Sequence, residues 1–299
     1  MSLKIVTWNV NGIRSRVFND RVSIKLKKDE IPVPEENSSM FNLLKEDPDI
    51  ICLQETRFDK EVNLNGYLNY FNSSKLENAR AGNRYSGTAI YTKIKPNNVT
   101  YNIPGYEDQE GRIITMYFDN FILINVYTPN SGTNYDNRMM WNRAFLNFLT
   151  TIKCEVIFCG DLNVAYRPED IHFNYKLSNT YKTNTNNIVG YLPEEREFLY
   201  SLLDMGYKDT YLEINNEIHD NPGDFKGFTW WDVRTKKVIN DKTGIEIGSS
   251  RYKNYGWRLD YIITSSNIKT LNSQVLKHIG EEYSPQGSDH APVLTEILI

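Results

Sequence analysis

Long hydrophobic runs are absent from this sequence of 299 residues. No stretch approaches the roughly 20 consecutive apolar residues that a transmembrane helix needs, so we predict no membrane span. A signal peptide is also absent, because residues 3–10, "LKIVTWNV", already have the pattern of a buried strand. We therefore expect an intracellular protein, and the sequence leaves open whether it acts in a nucleus, in the cytoplasm or as a viral protein.

Cysteine is scarce, with only Cys52, Cys154 and Cys159 in the whole chain. All three lie in or beside apolar runs, and none has the spacing of a metal ligand. This pattern predicts buried free thiols in a reducing compartment. It also argues against a zinc site, since zinc sites usually draw on several Cys or His side chains.

The sequence lacks an excess of positive charge, because 34 Lys and Arg face 38 Asp and Glu, giving a net charge of −4. A protein that binds nucleic acid by bulk attraction is usually basic. If the partner is DNA, a local basic surface must therefore provide the attraction.

What the sequence does contain is a mixture of strand and helix patterns, with 40% hydrophobic and 24% charged residues, as in ordinary globular proteins. Short runs rich in β-branched and aromatic residues alternate with amphipathic segments, which predicts two mixed sheets packed face to face with helices outside. No boundary divides the chain, so we expect a single domain over residues 1–299. The predicted strands are 4–10, 49–55, 87–93, 112–118, 121–127, 155–161, 258–264 and 290–298, and the predicted helices are 38–47, 137–152 and 192–206.

Polar side chains follow or open most of these strands. Each has an ordinary explanation by itself, because an Asn at a strand end commonly forms a turn or caps the backbone. Neighbouring strands lie only about 4.8 Å apart, so the strand ends can also converge on one crevice. As a set they offer oxygen ligands of the kind that Mg²⁺ prefers. The set is Asn9, Asn11, Gln54, Glu55, Tyr127, Asn130, Asp161, Asn163, Asp260, Asp289 and His290.

Seven motifs resemble those of exonuclease III-type apurinic/apyrimidinic (AP) endonucleases, and they follow one another along the chain in the order seen in that family. "GDLN" and "SDH" mark only the wider endonuclease/exonuclease/phosphatase superfamily, whereas "NGIR", "QET", "YTPN" and "GWRLDY" point to its DNA-repair branch. The resemblance extends from residue 4 to about residue 298 and implies a four-layer αββα sandwich of the α/β class. The motifs are "IVTWNVNGIR", "LQET", "YTPNSG", "GDLNVA", "FTWWDVR", "GWRLDY" and "SDHAPV".

The resemblance implies a Mg²⁺-dependent endonuclease of base excision repair, with Mn²⁺ as a possible substitute. Such an enzyme cleaves duplex DNA 5′ to an abasic site by water attack and leaves a 3′-OH, with 3′-phosphodiesterase and 3′–5′ exonuclease activity besides. Its partner is double-stranded DNA with abasic sites or blocked 3′ ends, and the protein is expected to be a monomer.

Catalytic roles follow from the same resemblance. Asp161 positions and deprotonates the attacking water, and Asn163 helps to hold it. His290 donates to a non-bridging phosphate oxygen while Asp260 accepts from the other ring nitrogen. Tyr127 hydrogen-bonds or protonates at the phosphate, and the sequence leaves open which residue is the general base and which the acid.

Metal ligands are implied at the ends of the first, second and last strands. Glu55 corresponds to the principal Mg²⁺ ligand, and Asp289 adds a second carboxylate, directly or through water. Asn11 stands where some relatives carry Asp, and Asn9 orients phosphate or a metal-bound water. The number of metals stays open, because a second ion could lie beside Asp161 and Asn163.

Substrate contacts form the third implied group. Apolar side chains would line a pocket for a flipped, baseless sugar, and basic side chains would contact the DNA backbone. The alternative for the aromatic residues is ordinary core, and for the basic residues a solvated surface. The group comprises Asn130, Trp230, Trp257, Leu259, Phe228, Arg14, Arg138 and Arg258, with Arg16 and Lys60 as further backbone candidates.

Two rival functions remain open from sequence alone. A phosphodiesterase or phosphatase that acts on lipid headgroups, inositol phosphates or RNA would have a basic pocket instead of Trp230 and Trp257. A non-catalytic DNA-binding relative would lack Glu55, Asp161 or His290.

Two segments, 20–39 and 236–254, are longer than in compact relatives. We expect polar surface loops there, and the sequence leaves their role open.

Overall fold

Two six-stranded mixed sheets form the framework of the molecule. They are seen in a computed structural model that describes residues 1–18, 31–76, 85–132, 134–172, 188–215, 225–232, 237–239, 246–277 and 288–299. The first sheet contains β1 (Ser2–Asn9), β2 (Ile50–Gln54), β3 (Leu68–Asn72), β4 (Thr88–Thr92), β13 (Lys269–Val275) and β14 (Val293–Leu298). The second contains β5 (Asn98–Thr100), β6 (Ile113–Tyr117), β7 (Phe121–Tyr127), β8 (Glu155–Asp161), β9 (Lys208–Asp209) and β12 (Asp260–Thr264).

The strand order is β13-β14-β1-β2-β4-β3 in the first sheet and β5-β6-β7-β8-β12-β9 in the second. A short separate ribbon pairs β10 (Lys237–Ile239) with β11 (Glu246–Gly248). The helices are α1 (Ile13–Val17), α2 (Ser39–Leu44), α3 (Tyr135–Thr151), α4 (Pro193–Asp204), α5 (Thr210–Ile214) and α6 (Ser249–Tyr252), with a 3₁₀ turn at Pro168–Asp170. None of the helices in these described ranges has the length and apolar character needed to cross a bilayer.

The core between the sheets is formed by side chains that alternate along the central strands. Ile5 and Cys52 from the first sheet meet Leu123 and Ile157 from the second, and all four are fully buried. Successive side chains in a strand point to opposite faces, so the intervening residues need cover on the outside.

Helices supply that outer cover. Trp8 and Leu53 on the outer face of the first sheet pack with Leu43 of α2. Phe158 on the outer face of the second sheet packs with Phe145 of α3, whose ring centroid is 5.5 Å away. The two sheets therefore lie between helical layers, which confirms the predicted αββα sandwich.

Each sheet has one parallel pair at its centre, and this fixes where the polar strand ends lie. β1 runs parallel to β2, and β7 runs parallel to β8. The carboxyl ends of each pair therefore reach the same edge of their sheet. β12 and β14 are antiparallel to β8 and β1, so their first residues arrive at those same edges.

Helix starts match the chemistry of the sequence. The Ser38 side chain accepts a hydrogen bond from Phe41 N at 3.1 Å, which confirms the predicted cap, although α2 ends at Leu44 rather than at residue 47. α4 begins with Pro193 followed by two acids, as expected for a first turn.

Several strands were not predicted, because their sequences lack a clear apolar pattern. β13, "KTLNSQV", alternates exposed and buried residues at the edge of the first sheet, and the 290–298 prediction began three residues before β14. The long segment 236–254 contains β10, β11 and α6 instead of loop alone. Residues 20–30 of the other long segment lie outside the described residues.

The cysteine prediction is partly wrong. Cys52 and Cys159 are buried between the sheets as free thiols, but Cys154 is exposed. Cys154 precedes β8 in the turn after α3, where it lies outside the packed layers.

Candidate active site

The register of the second sheet brings three polar residues into one row. Tyr127 at the end of β7 pairs with Asp161 at the end of β8, and Asp161 pairs with Asp260 at the start of β12. Directly opposed residues on neighbouring strands have side chains about 5 Å apart. Two carboxylates are therefore held next to each other at the edge of the sheet.

His290 lies between these two carboxylates. Its Nδ1 is 2.7 Å from Asp260 Oδ2, and its Nε2 is 3.8 Å from Asp161 Oδ2. All three side chains are buried. We call Asp161, His290 and Asp260 the cleft network.

Neighbouring amides fix the orientation of Asp161. Asn9 Nδ2 donates to Asp161 Oδ2 at 2.9 Å, and the backbone N–H of Asn163 donates to Oδ1 at the same distance. The Asn163 side chain in turn donates to the carbonyl of Thr128. The two sheets thus meet at Asp161, because Asn9 belongs to the first and Asp161 to the second.

The electrostatics of the cleft network follow from burial and from the paired acids. Burial raises the pKa of Asp161 to about 7, an effect that His290 opposes and Asp260 reinforces. Burial acts to lower the pKa of His290, but Asp260 and Asp161 outweigh it and raise that pKa to about 10. His290 is consequently a cation at neutral pH, and Asp161 can both hold and release a proton there.

A second group of acids lies at the edge of the first sheet. The Tyr127 hydroxyl and Arg57 both donate to Glu55. Asn11 Nδ2 donates to Asp289 Oδ1 at 2.8 Å, and Trp230 Nε1 donates to Asp289 Oδ2 at 3.1 Å. Burial and the charge of Glu55 raise the pKa of Tyr127 well above its ordinary value, so Tyr127 remains a proton donor.

The backbone is strained where these side chains leave the strands. Asn11, Glu55 and Asn163 have φ of 44°, 50° and 49°, the left-handed region that non-glycine residues rarely adopt. Each such residue costs on the order of 1–3 kcal/mol, a cost that persists at functional sites when the surrounding structure enforces it. Gly160, just before Asp161, cannot be replaced, because a Cβ there would lie 1.8 Å from Val126 O.

Asp161 and His290 of the cleft network face one cleft of about 240 Å³ together with Glu55, Tyr127 and Asp289, whereas Asp260 lies behind His290 and does not line it. One wall is apolar, where the Trp230 and Trp257 rings meet edge to face at a centroid distance of 6.2 Å. The other walls are polar. The cleft is lined by Glu55, Tyr127, Asn130, Asp161, Asn163, Val189, Gly190, Trp230, Asp232, Trp257, Leu259, Asp289 and His290.

The comparison with known proteins agrees with this geometry. The model of the endonuclease/exonuclease/phosphatase family matches residues 6–290, which include every residue of the cleft. The chain belongs to this family.

Similar proteins place it in the nuclease branch. An exodeoxyribonuclease of Bacillus subtilis is 33% identical, over 99% of both chains. A DNA-(apurinic or apyrimidinic site) endonuclease of Dictyostelium discoideum is also 33% identical, over 97% of this chain and 69% of that protein. The solved structure of an AP endonuclease from Archaeoglobus fulgidus matches with a TM-score of 0.70 at 25% identity, over 98% of both chains. The predicted family and the prediction of a nuclease are thereby confirmed.

Three of the arginines predicted to contact DNA are wrong for that role, because the nuclease buries them. Arg138 is fully buried, donates to the carbonyls of Pro129 and Leu162, and lies 3.7 Å from Glu195. Arg16 is 2% exposed.

Arg258 is 1% exposed and is the third of these arginines. It donates to Asp170 at 2.9 Å and to Asp209 at 2.7 Å, and its guanidinium lies over the Tyr261 ring. We call Arg258 and its two carboxylate partners, Asp170 and Asp209, the arginine network. Its described contacts are internal, so Arg258 does not face the surface that DNA would contact.

Phe228 is also wrong as a pocket residue. Its ring packs 4.9 Å from Phe225 in a separate cluster with Tyr211, Trp231 and Ala291, and it does not reach the cleft. Arg14 and Lys60 are half-buried, so their predicted contacts with DNA stay predictions.

The sequence analysis missed three residues of the cleft and one of its supports. Asp232 follows the predicted pocket residues within "FTWWDVR", so the motif offered a clue to it. Val189 and Gly190 lie in a segment without a recognised motif. Arg112 is the support: it donates to the Tyr127 carbonyl at 3.1 Å and lies over the Tyr127 ring at 4.5 Å.

The donor set of the cleft fits a hard divalent cation. Carboxylate and amide oxygens dominate it, and Cys ligands are absent from the described lining. Asp260 Oδ1 is buried and has no hydrogen-bond partner among the described residues, so one acceptor atom beside His290 is unsatisfied. Asp161, Asp260 and His290 each offer one atom that could bind a metal, and these three atoms lie within 4.8 Å of one another.

Proposed function

We propose that the chain is a Mg²⁺-dependent DNA repair endonuclease that cleaves duplex DNA 5′ to abasic sites and leaves a 3′-OH. We include 3′-phosphodiesterase and 3′–5′ exonuclease activity in this proposal. The observation that supports it most is one cleft whose lining combines Asp161 and His290 of the cleft network with the apolar side chains of Trp230 and Trp257. The named activities of the exodeoxyribonuclease and AP endonuclease relatives point the same way.

We assign the metal site to Glu55 and Asp289, with Asn11 beside them. The carboxylates of the cleft network are already engaged with His290, so an ion among them would have to displace the 2.7 Å contact between His290 and Asp260. When bound, Mg²⁺, or Mn²⁺ in its place, would neutralise charge that builds on the phosphate.

Asp161 is the candidate general base. A pKa near 7 lets it take a proton from water at neutral pH, and the hydrogen bonds from Asn9 and Asn163 hold it in one orientation. The water oxygen then forms a bond to phosphorus while the bond from phosphorus to O3′ breaks. Asn163 would hold this water beside the carboxylate.

His290 and Tyr127 complete the reaction. Protonated His290, held through Nδ1 by Asp260, directs Nε2 toward the cleft, where it can donate to a phosphate oxygen. The Tyr127 hydroxyl stays protonated and can give its proton to the departing O3′. Asn130 caps its own loop by accepting from Gly132 N at 2.8 Å, which keeps the Tyr127 strand end in place.

The apolar wall provides the selectivity for a site that has lost its base. Trp230, Trp257 and Leu259 offer nonpolar surface to a deoxyribose that is turned out of the helix, which costs least where no base is stacked. No Lys or Arg lines the cleft within the described ranges, which disfavours a highly charged inositol phosphate or lipid headgroup as substrate.

We further propose that residues 1–299 act as one catalytic domain and as a monomer on double-stranded DNA. Arg14 and Lys60 remain the candidates for backbone contacts. Because the chain has a net charge of −4, we expect binding to rely on such local contacts and to weaken steeply with salt.

A labelled duplex with one tetrahydrofuran abasic analogue tests the function. We expect nicking immediately 5′ to the analogue with Mg²⁺ and none with EDTA, while the same duplex with an intact nucleotide stays uncut. Failure to cut this duplex, together with cleavage of an inositol phosphate or a phospholipid, would refute the proposal.

A further inference from the structure

The polar segment 246–254 lies next to the end of the chain that carries Asp289 and His290. It contains β11 and α6 and ends in a turn at Asn254, whose φ is 55°. Asn254 Nδ2 donates to Phe225 O, and Tyr255 N donates to Ser250 O, so the segment is folded against the molecule.

Arg251 of α6 joins two separated parts of the main chain. Its Nη1 donates to Ser288 O at 2.7 Å, and its Nη2 donates to Lys277 O at 3.4 Å. Lys277 and Ser288 are the described residues on either side of segment 278–287. The guanidinium also lies over the Trp231 ring at 4.7 Å. Burial lowers the pKa of Arg251 to about 10, so it remains charged at neutral pH.

Ser288 connects Arg251 to the catalytic end of the chain. The Ser288 hydroxyl donates to Asn9 O at 2.6 Å and accepts from His290 N at 3.1 Å. Asn9 is the residue whose side chain donates to Asp161. A displacement of Ser288 would therefore reach His290 directly and Asp161 through Asn9.

The carbonyl groups of residues 288–290 are each held by a different donor. Arg251 holds that of Ser288, Trp231 N holds that of Asp289 at 3.0 Å, and Trp8 Nε1 holds that of His290 at 3.2 Å. Arg251 provides the shortest of these three contacts, and it is the one that comes from the long segment. Charged donors also make stronger hydrogen bonds than neutral ones.

We propose that Arg251 is a positioning residue, which sets the place of the His290 imidazole between Asp260 and Asp161 by fixing the main chain of Ser288. Its effect on turnover rests on the proposed nuclease function. Misplacement of a catalytic group by 1 Å can cost on the order of 100-fold in rate, so a donor outside the cleft can control the reaction.

Nuclear magnetic resonance tests the geometry without any substrate. The chain has four His residues, so ¹⁵N-histidine labelling gives a small set of ring signals, and the His290 signals are identified by their loss in His290→Gln. Arg251→Met should shift the His290 ring signals. Arg143→Met, which changes an exposed arginine on α3, should leave them in place. Unshifted His290 signals in folded Arg251→Met would overturn the proposal.

Kinetics on the tetrahydrofuran duplex test the consequence. For Arg251→Met we expect kcat to fall by about 10- to 100-fold with KM changed by less than about threefold, since the substrate-contacting wall stays intact. Arg251→Lys should recover part of the loss, because it restores the charge but can make fewer of the hydrogen bonds. If Arg251→Met unfolds, Arg251→Lys provides the same measurements.

A double-mutant comparison separates positioning from simple loss of stability. In a His290→Ala background, Arg251→Met should cause a much smaller further fall in kcat, because only the route through Asn9 to Asp161 remains. An equal fall in both backgrounds, or a fall that only follows the unfolded fraction measured by circular dichroism, would contradict the proposed role. If the wild type does not cut abasic DNA at all, the proposed function fails while the histidine signals still decide the role of Arg251.

Discussion

Two buried charge networks each take one residue from segment 257–260, Arg258 and Asp260, and they are built in opposite ways. In the arginine network, Arg258 satisfies Asp170 and Asp209 with hydrogen bonds of 2.7–2.9 Å. In the cleft network, two directly opposed carboxylates share one His290, and an oxygen of Asp260 remains unpartnered among the described residues.

The pKa shifts show the difference between the two networks. Burial acts to raise the pKa of Asp170, but Arg258 and Arg167 hold it below its ordinary value. Burial raises the pKa of Asp161 to about 7, since His290 only partly opposes the rise and the charge of Asp260 adds to it. A buried acid with matched arginines serves stability, whereas a buried acid beside another acid is prepared for proton transfer.

The largest expected effect is on turnover, from removing the proposed general base, Asp161, of the cleft network. Asp161→Asn keeps the shape of the side chain but cannot take a proton, so we expect kcat on the abasic duplex to fall by roughly 10²–10⁴-fold. The free energy of unfolding measured in urea should change little, because the substitution removes a buried charge that shares its cationic partner with Asp260. Near wild-type turnover in Asp161→Asn would contradict the proposed role of Asp161 and the contrast between the two networks.

The second effect is on stability, from opening the arginine network. Arg258→Met leaves buried Asp209 without its cation and leaves Asp170 with Arg167 alone, which should lower the free energy of unfolding by about 3–5 kcal/mol. Chemical denaturation gives this value, with exposed Arg143→Met as the matched control. Activity per folded molecule should fall far less than in Asp161→Asn, and a stability loss below about 1 kcal/mol would show that the pairing matters little.

The third effect concerns the proposed metal site at Glu55 and Asp289. Glu55→Ala removes a carboxylate from the proposed site, so activity at low Mg²⁺ should fall by about 10²-fold and recover in part at high Mg²⁺. Titration of activity with Mg²⁺ and Mn²⁺ checks this. Asp170→Asn is the control, since a buried acid of the other network should leave the metal dependence unchanged.

A fourth and smaller effect is on the preference for abasic DNA. It concerns Trp257, which lines the cleft, whereas the next residue, Arg258, is buried in the arginine network. Trp257→Ala should reduce the preference for abasic over intact duplex by about tenfold, the scale of lost apolar contacts in a pocket. Competition between the two labelled duplexes measures it, and Trp257→Phe should be milder. An unchanged preference would remove Trp257 from the lesion pocket.

The smallest effect depends on pH. Since the pKa of Asp170 is lowered on folding, its charge stabilises the protein above the unfolded value near 3.9, and this contribution is lost as pH falls through the folded value. Asp170→Asn should therefore be less stable than wild type by about 1–3 kcal/mol at pH 7, with a gap that narrows below about pH 4. A constant gap from pH 7 to pH 3 in urea unfolding would contradict this.

Much of the site was within reach of the sequence because its residues end apolar strands. Asn9, Glu55, Asp161 and Asn163 each follow such a run, and parallel central strands must deliver their ends to one edge. The nearby Trp257 and Leu259 were recognisable from "GWRLDY". Their catalytic and binding roles remain predictions that the experiments above test.

The arginines were beyond the reach of the sequence, because their partners are remote along the chain. Arg258 meets Asp170 and Asp209, and Arg251 meets Ser288, through contacts that no local pattern encodes. From sequence, a buried arginine looks like an exposed one.

The central strands, the family motifs and the polar strand ends could thus be read from the sequence itself, since side-chain alternation and turn chemistry are local properties. The tertiary structure alone decided which charges face the cleft and which are neutralised inside. The partners of each charged group are set by tertiary contacts between residues remote in sequence. In a buried environment these contacts determine the pKa of the group and its contribution to stability.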